Sequence, residues 1–200
     1  MTDHATPDIL DRLAGVSVGS TLDVVRHERP ETRRNVQASY DALFETGDEA
    51  EVTATERHAV AAFVALLHDA DGPAANHYLQ LLEQRPDADG LVGVLRSQAK
   101  RAATAGPYGA YPSGPLSREN LAGPIFSTEP SDRAVLGERL SAALDHVHLL
   151  VFHLRDAQAP HLALLQQAGW NTAAIVTLSQ IVAFLSFQIR AAQGLRVLGS

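Results

Sequence analysis

Residues 53–78, TATERHAVAAFVALLHDADGPAANHY, constrain the fold more than any other part of this chain. Thr53 and Glu56 form a T-x-x-E capping box, the local signal that starts a helix. Val60, Phe63, Val64 and Leu67 follow at i, i+3, i+4 and i+7, which predicts one apolar stripe at helical period. Gly72 stops that helix, and Pro73 suits the first position of the next, where its missing N–H has no partner to lose. His77 lies four residues into this second helix and can face back across the turn. A helix, a tight break and a helix are therefore expected here.

The remaining punctuation is also helical. Thr6-Pro7-Asp8 opens a helix over 8–14 that Gly15 ends, and Ser20 caps one over 21–27. A third, 31–44, places Val36, Tyr40, Leu43 and Phe44 on one face. After an acidic loop at 45–52, the central pair runs to about residue 85 with Leu79 and Leu82 inward. Residues 91–103 resume the helical pattern. A long helix over 132–154 carries Val135, Leu140, Leu144, Val147 and Val151. A short one runs from Pro160 to Gly169, and a last one over 172–193 is capped by Asn171 and stopped by Gly194. No strand pattern is present, so the expected fold class is all-α, in a single domain over 1–200. Between its N-terminal helical part, 1–105, and its C-terminal part, 132–200, lies a different segment. Residues 106–130 hold five of the ten prolines and four glycines. Tyr108, Tyr111, Ile125 and Phe126 predict that this loop is ordered and laid over a surface, lining a pocket or wrapping a neighbouring subunit.

A hydrophobic content of 46% suffices for a substantial core. The net charge of −7 and the scatter of the 16 basic residues argue against a nucleic-acid footprint. Arg33-Arg34 and Lys100-Arg101 are the only adjacent pairs, and both are expected on solvated helix faces. No basic-then-apolar leader is visible, so a cytoplasmic location is expected. The apolar run 175–189 is interrupted by polar residues and falls short of the roughly 20 that a membrane span needs. It reads as a buried helix, and no membrane partner is expected. The chain has no cysteine. That excludes disulfides and, with them, any peroxide reduction by a thiolate and a resolving thiol.

The 53–78 segment resembles the site of the carboxymuconolactone decarboxylase (CMD) and alkylhydroperoxidase AhpD-like family. In its peroxidase branch a Glu, a C-x-x-C and a His follow one another. Aligned without a gap on His77, the Glu falls at His58, the first Cys at Ala70 and the second at Pro73. Only His77 matches. Glu56 stands two residues from the Glu position, a rotation of about 200° on a helix, and does not replace it. A longer similarity covers 146–198, where Ala168-Gly169-Trp170, Ala183-Phe184, Phe187, Arg190 and Gly194-Leu195 fit the family's outline in order. The resemblance implies an AhpD-like fold of two related helical halves joined by the Pro/Gly-rich loop. Glu56-Arg57 before His77 and Glu138-Arg139 before His161 form a faint echo of those halves. It also implies a homo-oligomer, with an active cysteine-containing paralogue as a further partner, and calls for no cofactor.

On this reading the chain is a divergent, cysteine-less member that binds a small molecule or a partner subunit. The alternative is a decarboxylase-like or proton-transfer enzyme with His77 and His58 as the catalytic pair and Glu56, Ala70, Asp71 and Pro73 around them. An imidazole titrating near neutrality can act as general acid or base. A third reading, a metal enzyme on His58, His77 and another histidine, has no H-x-x-x-H or H-E-x-x-H spacing behind it. His146 and His153, seven apart, are expected on one helix face with His148 turned away, as ordinary packed or surface histidines.

Overall fold

The computed structural model describes residues 7–199; Thr6, at the head of the expected opening turn, lies outside them. The helices are α1 (Ile9–Ala14), α2 (Thr21–His27), α3 (Pro30–Phe44), α4 (Ala54–His68), α5 (Pro73–Glu83), α6 (Leu91–Ala102), α7 (Arg133–Phe152), α8 (Ala159–Gln167) and α9 (Thr172–Leu198). Short 3-10 turns occupy Pro115–Glu119 and Leu154–Asp156. Among the described residues the only β-type pairing is an isolated bridge between Gly109 and Leu121. The fold is all-α.

α4 is the axis around which the others pack. α5, α6, α7 and α9 lie against it, with α3 beyond. Thr53 accepts from the Glu56 N–H at 3.1 Å while the Glu56 carboxylate accepts from the Thr53 N–H at 2.9 Å, completing the capping box. Past that first turn the helix is not a one-sided stripe. Every residue from Arg57 to Leu66 is buried, and Leu67, expected inward, is only partly covered. Ala59, Ala61, Ala62 and Ala65 are the reason, because their short side chains admit neighbouring helices on the faces that the larger residues leave.

Asp8 and Ser20 cap α1 and α2, and Asn171 caps α9. Gly194 does not end α9, which continues to Leu198. Leu195 packs on the core and the Arg196 guanidinium reaches the Leu13 carbonyl and Asp69. Those contacts outweigh the roughly 1 kcal/mol that a mid-helix glycine costs. The helix is consequently 27 residues, long and apolar enough to cross a membrane by length and composition, with Leu178, Ile181, Leu185 and Ile189 buried in the core. α7 bends at Gly137, whose φ of 70° leaves Val135 exposed instead of inward.

Of the arginines expected in solvent, Arg33 is inside, whereas Arg34 and Arg101 are exposed. Arg33 is buried and paired with Asp11 at 2.9 Å and Asp23 at 3.5 Å, beside Arg26, which pairs with Asp8 and Asp11 at 2.5 and 2.8 Å. Arg101 pairs with Glu129 and lies over the Phe126 ring. The echo arginines both bind backbone carbonyls. Arg57 donates to those of Val52, Leu43 and Asp48. Arg139 donates to those of Gly169 and Glu51 and to the Glu56 carboxylate, and its guanidinium stacks 4.2 Å from the Trp170 ring centroid.

The 106–130 segment is packed. Arg155 donates to the carbonyls of Pro107 and Glu119 and stacks on Tyr111, and Asp156 accepts from the Ala110 N–H. Phe126 is buried against Phe63 and His148, whereas Ile125 is 90% exposed.

Candidate functional site

α4 and α5 bring His58 and His77 into one aromatic group, with Tyr40 and Phe44 of α3 as its third side. Phe44 stacks on His58 with ring centroids 6.0 Å apart, and Tyr78 meets both Phe44 and His77. The Tyr40 hydroxyl is 3.0 Å from His77 Nε2. His58 is buried and His77 half-buried. Burial lowers both imidazoles from the usual 6.5 to about 4; the cation of Arg85 adds to this at His58, and that of Arg12 at His77. Burial likewise raises the Tyr40 phenol to about 12. The group is therefore neutral at physiological pH. The remaining residues of the expected neighbourhood stand apart from it. Glu56 is bound to its own cap and to Arg139. Ala70, Asp71 and Pro73 are exposed at the α4–α5 turn, which Gly72 permits because a Cβ there would strike the Asp69 carboxylate. His58 and His77 line none of the principal cavities.

A cavity of about 530 Å³ opens instead between α7 and α8, beneath Ile125 and Phe126 of the long loop. His146, His148, His153 and His161 all line it, so His148 does not turn away from its neighbours. The cavity wraps around the C-terminal turns of α7, and His153 follows the last helical residue with φ −127° and ψ 33°, off the helical face. His148 donates from Nε2 to the Ala102 carbonyl at 3.2 Å. His153 donates from Nε2 to the Pro124 carbonyl at 3.0 Å, and its Nδ1 lies 3.1 Å from Asp156. His146 Nδ1 is buried with no hydrogen-bond partner.

Burial lowers His146 and His148 to about 4, with His161 and His153 respectively as additional causes; for His148 the Ala102 carbonyl opposes the shift. These two rings are neutral at pH 7. Around them the charge is unbalanced. Asp145, Asp156 and Glu138 line the wall, against Arg133 alone. Arg133 is 2.9 Å from Glu138 and 3.9 Å from Asp145. Burial raises Asp145, while Thr128 holds it through its N–H and hydroxyl, both at 2.7 Å. Among the described residues no group of three or more His, Cys, Asp or Glu side chains is arranged to hold a metal ion.

In the sequence the spacing of His146, His148 and His153 suggests only ordinary packed or surface histidines, and His161 stands out only in the faint internal echo. Their density was the usable signal: four of nine fall within residues 146–161, next to the one segment rich in proline and glycine. Comparison of the chain with family models, curated proteins and solved structures gives no match.

Proposed function

We propose that this chain is a small-molecule-binding protein on a CMD/AhpD-like helical scaffold, without thiol peroxidase activity, and that it seats its ligand between α7 and α8. The observation that carries the reading is one cavity combining an apolar wall, neutral imidazoles and three carboxylates facing a single guanidinium. Such a lining repels organic anions and favours an organic amine with an apolar body. The ammonium would lie towards Asp145, and the body against Phe126, Leu149 and Leu165. The family relation rests on the residues quoted above, and the absence of sulfur chemistry on the absence of cysteine.

Calorimetric titration with 2-phenylethylamine tests this. The expected result is saturable binding at one site per chain. Asp145→Asn keeps the acceptor for Thr128 but removes the charge, and should weaken binding about tenfold or more. Absence of binding, or equal affinity in the variant, would overturn the proposal.

Proton transfer by His77 and His58 is the subordinate reading. Its support is their shared aromatic group, but the Tyr40 hydroxyl occupies His77 Nε2 and Phe44 covers one face of His58. If a turnover is found and survives His77→Ala, that reading fails.

A further inference from the structure

A second cavity, of about 640 Å³, lies between the C-terminal ends of α4 and α7 and the middle of α9, closed at one end by residues 104–108. Its charge is opposite to that of the first. Arg155 and Arg190 both line it, and no aspartate or glutamate does. Arg155 spends its donors on backbone carbonyls and its face on Tyr111, and the one carboxylate its charge reaches, Asp156, is held by His153 and the Ala110 N–H outside this cavity's wall. Arg190 is exposed, with no ion pair or hydrogen bond among the described residues. In a chain of net charge −7, two guanidinium groups on one cavity with no carboxylate in its wall are an imbalance that an anion would correct.

The rest of the lining fits the same kind of ligand. His68 Nε2 is 3.3 Å from the Ser186 hydroxyl, one helical turn before Arg190. Burial, and next the Arg190 cation, lower His68 to about 4, so the ring is neutral. Its N–H can then donate to the Ser186 oxygen and leave the Ser186 hydroxyl hydrogen to the ligand. Leu67, Leu150, Val151 and Val182 supply an apolar wall beyond these polar groups.

We propose that this cavity is a binding site for an amphipathic organic carboxylate, with its head on Arg190 and Ser186 and its tail against α4, α7 and α9. A guanidinium matches a carboxylate with two parallel N–H donors, which an ammonium cannot reproduce. The site is separate from the cavity under the long loop, and neither needs the other.

Octanoate binding to the full chain, followed by calorimetry, decides it, with 1-octanol as the uncharged probe of the same tail. Octanoate should bind at one site and more tightly than 1-octanol. Arg190→Gln, at an exposed position, should weaken octanoate about tenfold and leave 1-octanol unchanged. Arg190→Lys should recover only part of the loss. Val182→Phe, which fills the apolar end, should weaken both probes while Asp145→Asn changes neither. No octanoate binding, equal affinity for the two probes, or octanoate affinity indifferent to Arg190→Gln in a variant with wild-type circular dichroism would each overturn the proposal.

Discussion

Arg139 ties together parts of the chain that are far apart in sequence. It bonds Glu56 at 2.6 Å, across 83 residues, and the Glu51 carbonyl at 2.6 Å, while Trp170 donates from its indole to the Arg139 carbonyl at 2.8 Å. Charge-assisted bonds of this kind contribute about 1.5–3 kcal/mol each when a partner would otherwise be left unmatched. Partial exposure discounts that here. Arg139→Ala should therefore cost about 2 kcal/mol in urea unfolding, followed through Trp170, the only tryptophan. Arg139→Lys should recover less than half, since an ammonium neither forks nor stacks flat on the indole. A midpoint unchanged in Arg139→Ala would show that these contacts contribute nothing. The cap residues Ser20, Thr53 and Asn171 were legible in the sequence because a cap bonds within three residues of itself. The partners of Arg139 were not, because no local rule connects positions 56, 139 and 170.

At the scale of elements, α4 and the long loop show what periodicity can and cannot give. The helix was expected from its cap and its apolar spacing, but the stripe Val60, Phe63, Val64 and Leu67 described only part of its buried surface. Alanine carries little weight in an apolar pattern, yet Ala61 and Ala62 are fully buried where neighbouring helices approach closely. Ala62→Leu should destabilise the protein by about 1–3 kcal/mol in thermal or denaturant unfolding, as overpacking does. An unchanged midpoint would mean that the helices around α4 have slack. The loop was legible as ordered from its aromatic residues, but not in its manner of packing. A Cβ added at Gly123 would overlap the Tyr108 ring, whose hydroxyl lies 2.6 Å from that of Thr104. Gly123→Ala should displace Tyr108, and hydrogen exchange over 106–130 should rise while α4 stays protected. Equal exchange in the loop would show that the ring moves aside without loss.

Across the whole molecule, the all-α class was legible because every cap and break agreed with it. The cavities were not, because each is assembled from four or more segments whose only common property is where the chain brings them. One consequence of that assembly belongs to no single site. His58, His68, His77, His146 and His148 are each lowered from the usual 6.5 to about 4, in every case chiefly by burial. A group whose folded pKa is depressed gives stability that is present above its unfolded value and is lost as the pH falls towards the folded one. Between about pH 6.5 and 4 the unfolded chain binds protons that the folded chain excludes, so stability falls throughout that window. The urea midpoint should be nearly flat from pH 8 to 7, then drop steeply, with uptake of as many as five protons per chain on unfolding. Acid unfolding should consequently begin well above the range in which carboxylates titrate. His146→Leu removes one of the five groups together with its unpartnered Nδ1, and should make the pH dependence shallower by about one proton. A midpoint as high at pH 5 as at pH 7, or a slope unchanged in His146→Leu, would mean that these imidazoles are not held neutral by the fold.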